Sequence, residues 1–136
     1  MGMYTEVGFA AEVDEEAYRV FEEYQRASTL LGAAGTHPFF DMDRAEMIIG
    51  GHGGSYYFPG ACRLTLEVDG HGAPLYSVSL RANLKNYEGE IQAFFDWITP
   101  HVKAGAGGND YIGHHIYEED EVPTLHYARI PAEVTL

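Results

Sequence analysis

From Tyr4 to Val13 the chain alternates, with Thr5, Val7, Phe9, Ala11 and Val13 on one side and Glu6 and Glu12 on the other. A period of two marks a strand with one buried face. Asp14 then stands where a helix N-cap belongs, and Glu15 and Glu16 place negative charge in the first turn, where the helix dipole favours it. Ala17, Val20, Phe21, Tyr24 and Leu31 recur at helical spacing, and Glu15–Arg19 and Glu22–Arg26 are spaced as i,i+4 pairs on the other face. The spacing predicts a helix over 14–31 that stops at Gly32.

His37-Pro38 reads as extended or turning. Asp43 is placed to cap a short helix through Ile49, and glycines 50, 51, 53 and 54 predict a flexible loop around His52. Ser55 to Phe58 is aromatic enough for a short strand, ended by Pro59-Gly60. Cys62, Leu64, Leu66 and Val68 alternate with polar residues. After a turn opened by Asp69-Gly70, so do Tyr76, Val78, Leu80, Ala82 and Leu84, which predicts an antiparallel hairpin with one wet face.

Asn86 is placed to cap a second long helix, near 87–99, with Tyr87, Ile91, Phe94, Phe95 and Ile98 as its apolar stripe and Pro100 at its end. A loop at Ala104–Gly108 leads to a last hairpin: Tyr111 to Tyr117, the acidic turn Glu118-Glu119-Asp120-Glu121, then Thr124 to Ile130. The expected fold is one α+β domain over 1–136: a mainly antiparallel sheet of five to six strands in meander hairpins, with two helices on one face. Its expected core is Val7, Phe9, Val20, Phe21, Tyr24, Leu64, Leu66, Val78, Leu80, Ile91, Phe94 and Ile98.

Composition narrows the function. The 136 residues are 46% hydrophobic and 21% charged, which fits a globular chain with a core. Eight basic against 21 acidic residues give a net charge of −13, a field that opposes direct binding of DNA or RNA. The single cysteine, Cys62, makes no internal disulfide. No apolar run reaches the ~20 residues of a membrane span, and no signal pattern opens the chain, so a cytoplasmic protein is expected.

Candidate chemistry is sparse. His114 and His115 are adjacent in a strand and point to opposite faces, so they do not share an ion. A turn near Asp120–Val122 would bring His115 opposite His126, but two imidazoles still lack a third ligand, and no metal or cofactor is expected. The glycine-rich stretches lack the Gly-Lys-Ser/Thr of a phosphate loop. Ser55, Ser77, Ser79 and Cys62 lack the setting of a nucleophile, so no catalytic residues are assigned. What stands out is acid combined with ten tyrosines, a residue type enriched at interfaces. The candidate partner-binding residues are therefore Glu118, Glu119, Asp120 and Glu121 with Tyr117, followed by Glu15, Glu22 and Glu23.

Several blocks carry a resemblance. They are His37-Pro38-Phe39-Phe40 with Arg44, Ser55-Tyr56-Tyr57-Phe58, and Arg81-Ala82-Asn83-Leu84-Lys85-Asn86-Tyr87. The last of these continues through Glu90-Ile91, Phe94-Phe95-Asp96-Trp97-Ile98 and Pro100, and a further block is Tyr117-Glu118-Glu119-Asp120-Glu121 with Pro123-Thr124-Leu125 and Tyr127. Over about two-thirds of its length the chain resembles a family of small conserved hypothetical proteins of phages and prophages. Ile116 departs from it, at a place where a basic residue is expected. The resemblance implies a mobile-element setting, in which small acidic proteins without catalytic signatures often block host defence. The expected function is an anti-defence inhibitor, most concretely an anti-CRISPR protein. It would act in the host cytoplasm, as a monomer or homodimer, on a host defence protein such as a CRISPR effector, whose nucleic-acid channel is basic. The alternative is a small-molecule or signal-nucleotide binding protein that uses the glycine-rich loop of residues 50–54 and nearby tyrosines.

Overall fold

The computed structural model describes residues 3–30, 35–55, 58–103 and 109–129. Strand β1 is Thr5–Val13 and helix α1 is Glu15–Ala27; a 3-10 turn Pro38–Asp41 leads to the short helix α2, Ala45–Ile49. Strands β2, Ala61–Val68, and β3, Pro74–Leu84, form the first hairpin. Helix α3 is Glu90–Ile98, and β4, Asn109–Tyr117, and β5, Thr124–Arg129, form the second hairpin.

The five strands lie in the order β2-β3-β1-β4-β5, every neighbouring pair antiparallel. β1 is thus the central strand. β1 and β2 run parallel with β3 between them, a split β-α-β arrangement, and β5 extends the sheet at the far edge. The register gives the sheet two different faces. Val7, Phe9 and Val13 of β1 pair with Ala82, Leu80 and Tyr76 of β3, all buried under the helices, while Glu6, Gly8 and Ala10 face the other way.

Both long helices pack on that one face. Tyr18 of α1 packs against Tyr76 with ring centroids 4.9 Å apart and planes tilted by 51°, Phe94 of α3 meets Phe9 edge-on at 5.5 Å, and Phe21 and Trp97 join the two helices at 5.9 Å. Edge-to-face rings add to area burial because each positive rim meets a negative face. Phe39, from the 3-10 turn, is fully buried against Phe94 and Trp97. None of the helices described is long and apolar enough to cross a membrane.

Several expectations are corrected. Asp14 caps α1 as expected, its Oδ1 accepting from the Ala17 N–H at 2.9 Å, but the helix ends at Ala27 and not at 31. Ser28 enters the left-handed region (φ 59°) and its N–H closes on the Tyr24 carbonyl; the chain then turns to Glu46, whose carboxylate accepts from Leu30 N–H. Gly32 lies outside the described residues. Arg19 bridges both Glu15 and Glu22, at 2.9 and 2.8 Å, in place of a Glu22–Arg26 pair. Helix α2 begins after Arg44 with no side-chain cap, so Asp43 does not serve as one.

Helix α3 starts at Glu90 behind Gly89, which holds φ 79°. Asn86 still serves it from a distance, its Oδ1 accepting from the Ile91 N–H at 3.0 Å, while Tyr87 leaves the apolar stripe and is 66% exposed. Leu66, expected in the core, is 51% exposed. The reason is that β2 is an edge strand and α1 reaches it near Cys62, where Gln25 Nε2 donates to the carbonyl at 3.0 Å. Ser55 lies in a bend and Phe58 in irregular chain, while Tyr56 and Tyr57 lie outside the described residues; the expected sixth strand is not found among the residues described.

The glycine-rich loop is packed, not free. Gly51 holds φ +63° with room for no Cβ, which would stand 2.1 Å from the Ala61 carbonyl oxygen. The buried Asn83 clamps the segment: its Oδ1 accepts from Gly54 and Ser55 N–H groups and its Nδ2 donates to Ser55 Oγ at 2.9 Å.

Candidate functional site

The turn between β4 and β5 is held by its own acids. The Asp120 N–H donates to the Tyr117 carbonyl at 2.8 Å, and Asp120 Oδ2 accepts from the Tyr117 N–H at 3.2 Å. The Glu118 N–H donates to the Tyr4 carbonyl at 3.1 Å, and the Glu118 carboxylate accepts from the Tyr4 N–H in return. Glu118 therefore fixes the tip against the start of β1, and Asp120 closes the turn on Tyr117. Glu119 and Glu121 are exposed and make no ion pair among the described residues, so their charge faces solvent.

The structure does not bring the second acidic group to this tip. Tyr117 pairs with Thr5, whereas α1 starts beyond Val13, at the other end of a nine-residue strand. At ~3.4 Å per residue the two ends are roughly 27 Å apart. Glu15 and Glu22 are also ion-paired with Arg19, which leaves Glu23 as the candidate on α1 without an ion pair among the described residues.

Beside the tip, a cleft of about 390 Å³ opens between β1, β4 and the start of α3. Thr5, Asn86, Tyr87, Gln92, His115, Tyr117 and Asp120 line it. Pairing of Val7 with His115 puts that imidazole on the helix-covered face, and α3 ends the cleft on the other side. Sequence reasoning did not find Asn86, Tyr87, Gln92 or His115 as lining residues. They come from β4, the β3–α3 connection and the first turn of α3, which no local pattern brings together.

At the back of the cleft His115 Nδ1 and His126 Nε2 are 2.8 Å apart, so one donates and the other accepts. His126 lies flat on Phe95, with ring centroids 3.6 Å apart and planes 5° apart. Burial, reinforced by His115, pushes His126 down to about 4, and burial lowers His115 against the pull of Asp120. Both rings are neutral at pH 7. A spacing of 2.8 Å is a hydrogen bond; two nitrogens on one tetrahedral zinc stand roughly 3.3 Å apart.

On the open face of the sheet, Gly8 lets His114 lie across β1, since a Cβ there would stand 2.6 Å from His114 Cε1. His114 Nε2 meets Glu6 Oε2 at 3.0 Å, and Arg81 donates to Glu6 Oε1 at 3.0 Å. Burial pushes the Glu6 carboxyl up, but the hydrogen bonds from His114 and Arg81 outweigh it and hold the group below its ordinary value. At the opposite end of the sheet, Asp14, Glu16 and His101 are the described residues whose ligand atoms cluster within 4.8 Å. There His101 Nδ1 bonds Asp14 Oδ2 at 2.9 Å while Asp14 caps α1, which accounts for the cluster as a hydrogen-bonded helix start.

The remaining candidates have local explanations. Burial pushes the Cys62 thiol up to about 11, so it is not a thiolate at neutral pH. In the glycine-rich loop the N–H groups of Gly50, Gly51, His52 and Gly54 donate to backbone carbonyls and are not available to cradle a phosphate. A hollow of about 470 Å³ does lie beside it, where the Tyr24 hydroxyl meets His52 Nε2 at 2.9 Å. The chain matches no protein-family model, no curated protein and no solved structure.

Proposed function

We propose that this protein is an anti-defence inhibitor of phage or mobile-element origin that occupies a basic, nucleic-acid-binding surface of a host effector, most concretely as an anti-CRISPR protein. The observation that carries this reading is the β4–β5 tip, where two acids lock the turn and two project unpaired charge. A tip ordered before contact loses little conformational freedom on binding, which favours affinity. The net charge of −13 steers the chain toward a basic cleft through the same field that repels nucleic acid. Exposed ion pairs contribute only ~0.2–1 kcal/mol each, so aromatic anchors such as Tyr117 must share the work.

The small-molecule alternative finds support in the hollow beside His52, but the engaged amides of the glycine-rich loop weigh against a nucleotide there. The test is a pull-down from a defence-bearing host lysate with a salt titration, followed by association kinetics with the captured protein. Glu119→Lys/Glu121→Lys should slow association strongly and leave the melting temperature nearly unchanged. Binding should fade as salt shortens the Debye length from ~10 Å at 0.1 M to ~3 Å at 1 M. Unchanged kinetics in the double reversal would end the acidic-tip mechanism.

A further inference from the structure

The cleft beside the tip has a chemistry of its own. None of its lining residues is lysine or arginine, and Asp120 is the charged group in its wall, with Glu118 and Glu119 next to it in the turn. The Tyr117 hydroxyl registers this environment: burial raises its pKa, and the carboxylates of Glu119, Glu118 and Asp120 and the Tyr87 hydroxyl raise it further. His115 adds no opposing charge at neutral pH, because burial keeps its ring unprotonated.

The walls suit a flat cation. Tyr87 is 66% exposed, and the Arg44 guanidinium already lies 5.1 Å from its ring centre, so this ring accepts guanidinium stacking within the protein itself. Asp120 uses Oδ2 on the Tyr117 N–H, which leaves Oδ1 without a hydrogen bond among the described residues. Asn86 is fixed by Ile91 N–H and by Gln92, to which its Nδ2 donates at 3.1 Å, so this wall is ordered before any ligand arrives. At about 390 Å³ the space is at the small end of ligand sites, suited to one long side chain and not to an extended ligand.

We infer that this cleft between Tyr87, Tyr117, Asp120 and His115 is a receptor for a single guanidinium group, supplied as an arginine side chain by a partner protein. The aromatic faces attract the cation through their quadrupoles, and the carboxylate provides the hydrogen-bonded counter-charge. The inference rests on the proposed function in one respect, that a basic protein surface supplies the arginine. The cleft itself is testable without any partner.

The experiment is a heteronuclear NMR titration of the full chain at pH 7.5 and low salt with the capped tripeptide Gly-Arg-Gly. Two further arms use the same tripeptide with citrulline, a neutral isostere, and free arginine amide. The arginine tripeptide should shift Tyr87, Tyr117 and His115 resonances saturably; citrulline should not. Tyr87→Ala should weaken the arginine tripeptide about three- to fivefold, as loss of one exposed cation–π contact implies. Asp120→Asn, which keeps an oxygen for the Tyr117 N–H, should weaken it further still, with the melting temperature checking that both variants stay folded. Tighter binding of free arginine amide than of the tripeptide would overturn the assignment to a protein side chain in favour of a free guanidino compound. Equal shifts with citrulline, or binding untouched by both substitutions, would overturn the cation receptor altogether. Loss of effector binding in Glu119→Lys/Glu121→Lys with tripeptide binding retained would support a receptor separate from the tip. A cleft that fails the titration while the tip variant loses effector binding would sink this inference and leave the proposed function standing.

Discussion

Arg44 and Glu90 give the sharpest test of how this fold is held together. Glu90 is fully buried at the first position of α3, and its Oε2 accepts from Arg44 Nη1 at 3.3 Å while Oε1 accepts from the Glu88 N–H at 3.0 Å. The pair ties the start of α2 to the start of α3, and the same guanidinium lies over Tyr87. In Arg44→Met a carboxylate is left in the interior with one neutral donor. Breaking a buried pair in this way costs about 3–5 kcal/mol, and the 29% exposure of the Arg44 side chain, which lets water replace part of the interaction, points to the lower end. The exposed cation–π contact adds about 0.5–1 kcal/mol, for a total of about 3.5–4 kcal/mol. With an unfolding entropy of ~2.1 cal/mol/K per residue, the melting temperature of a chain this size should fall by about 12–14 °C. Arg44→Met/Glu90→Met removes the orphaned charge together with its partner and should return to within about 1 kcal/mol of wild type. Urea unfolding of the two single variants and the double variant measures the coupling. A single variant as stable as wild type, or a double variant whose loss equals the sum of the singles, would refute this account.

The imidazole pair predicts a pH dependence. His126 has a folded pKa of about 4 against an ordinary 6.5, so the unfolded chain binds the proton more readily and stability falls as pH drops from about 6.5 toward 4. At ~1.4 kcal/mol per pKa unit the ceiling is about 3 kcal/mol, reduced to roughly 1–2 kcal/mol because the ring keeps some water access. His126→Gln, which keeps a neutral polar group toward His115, should lose less stability than wild type between pH 7.5 and 4.5 in paired urea titrations; identical losses would show that the pair is not responsible. In the glycine-rich loop, Gly51→Ala should cost more than about 2 kcal/mol, because it combines a left-handed φ with a carbonyl 2.1 Å from the new Cβ. Gly70→Ala, with nothing within 4 Å, is its neutral control in thermal melts.

The alternation of β1, β2 and β3 and the helical spacing of Ala17, Val20, Phe21 and Tyr24 were legible because strand and helix periods are properties of the neighbouring residues alone. So was the Asp14 cap, whose partner is three residues away. The acidic tip was legible for the same reason: four consecutive acids between two strand patterns need no tertiary information to be found. Which residues end a helix or leave the core was decided elsewhere. After Ser28 the chain turns toward Glu46, whose carboxylate takes the Leu30 N–H from 16 positions on, and Leu66 alternates as a buried residue does yet is exposed because no helix extends over the outer half of an edge strand.

The cleft belongs to the tertiary structure entirely. Thr5, Tyr87, His115 and Tyr117 meet because β1 is inserted between β3 and β4, an order fixed by long-range hydrogen bonding that leaves no trace in the spacing of residues. The same holds for the packed glycines 51 and 54, which read as flexible in sequence and are required by the close approach of Ala61 and Asn83. Sequence sets what each segment prefers within a few residues, since those preferences come from local sterics and periodicity. Pairing partners, and with them every surface built from distant segments, depend on which apolar faces can be buried together.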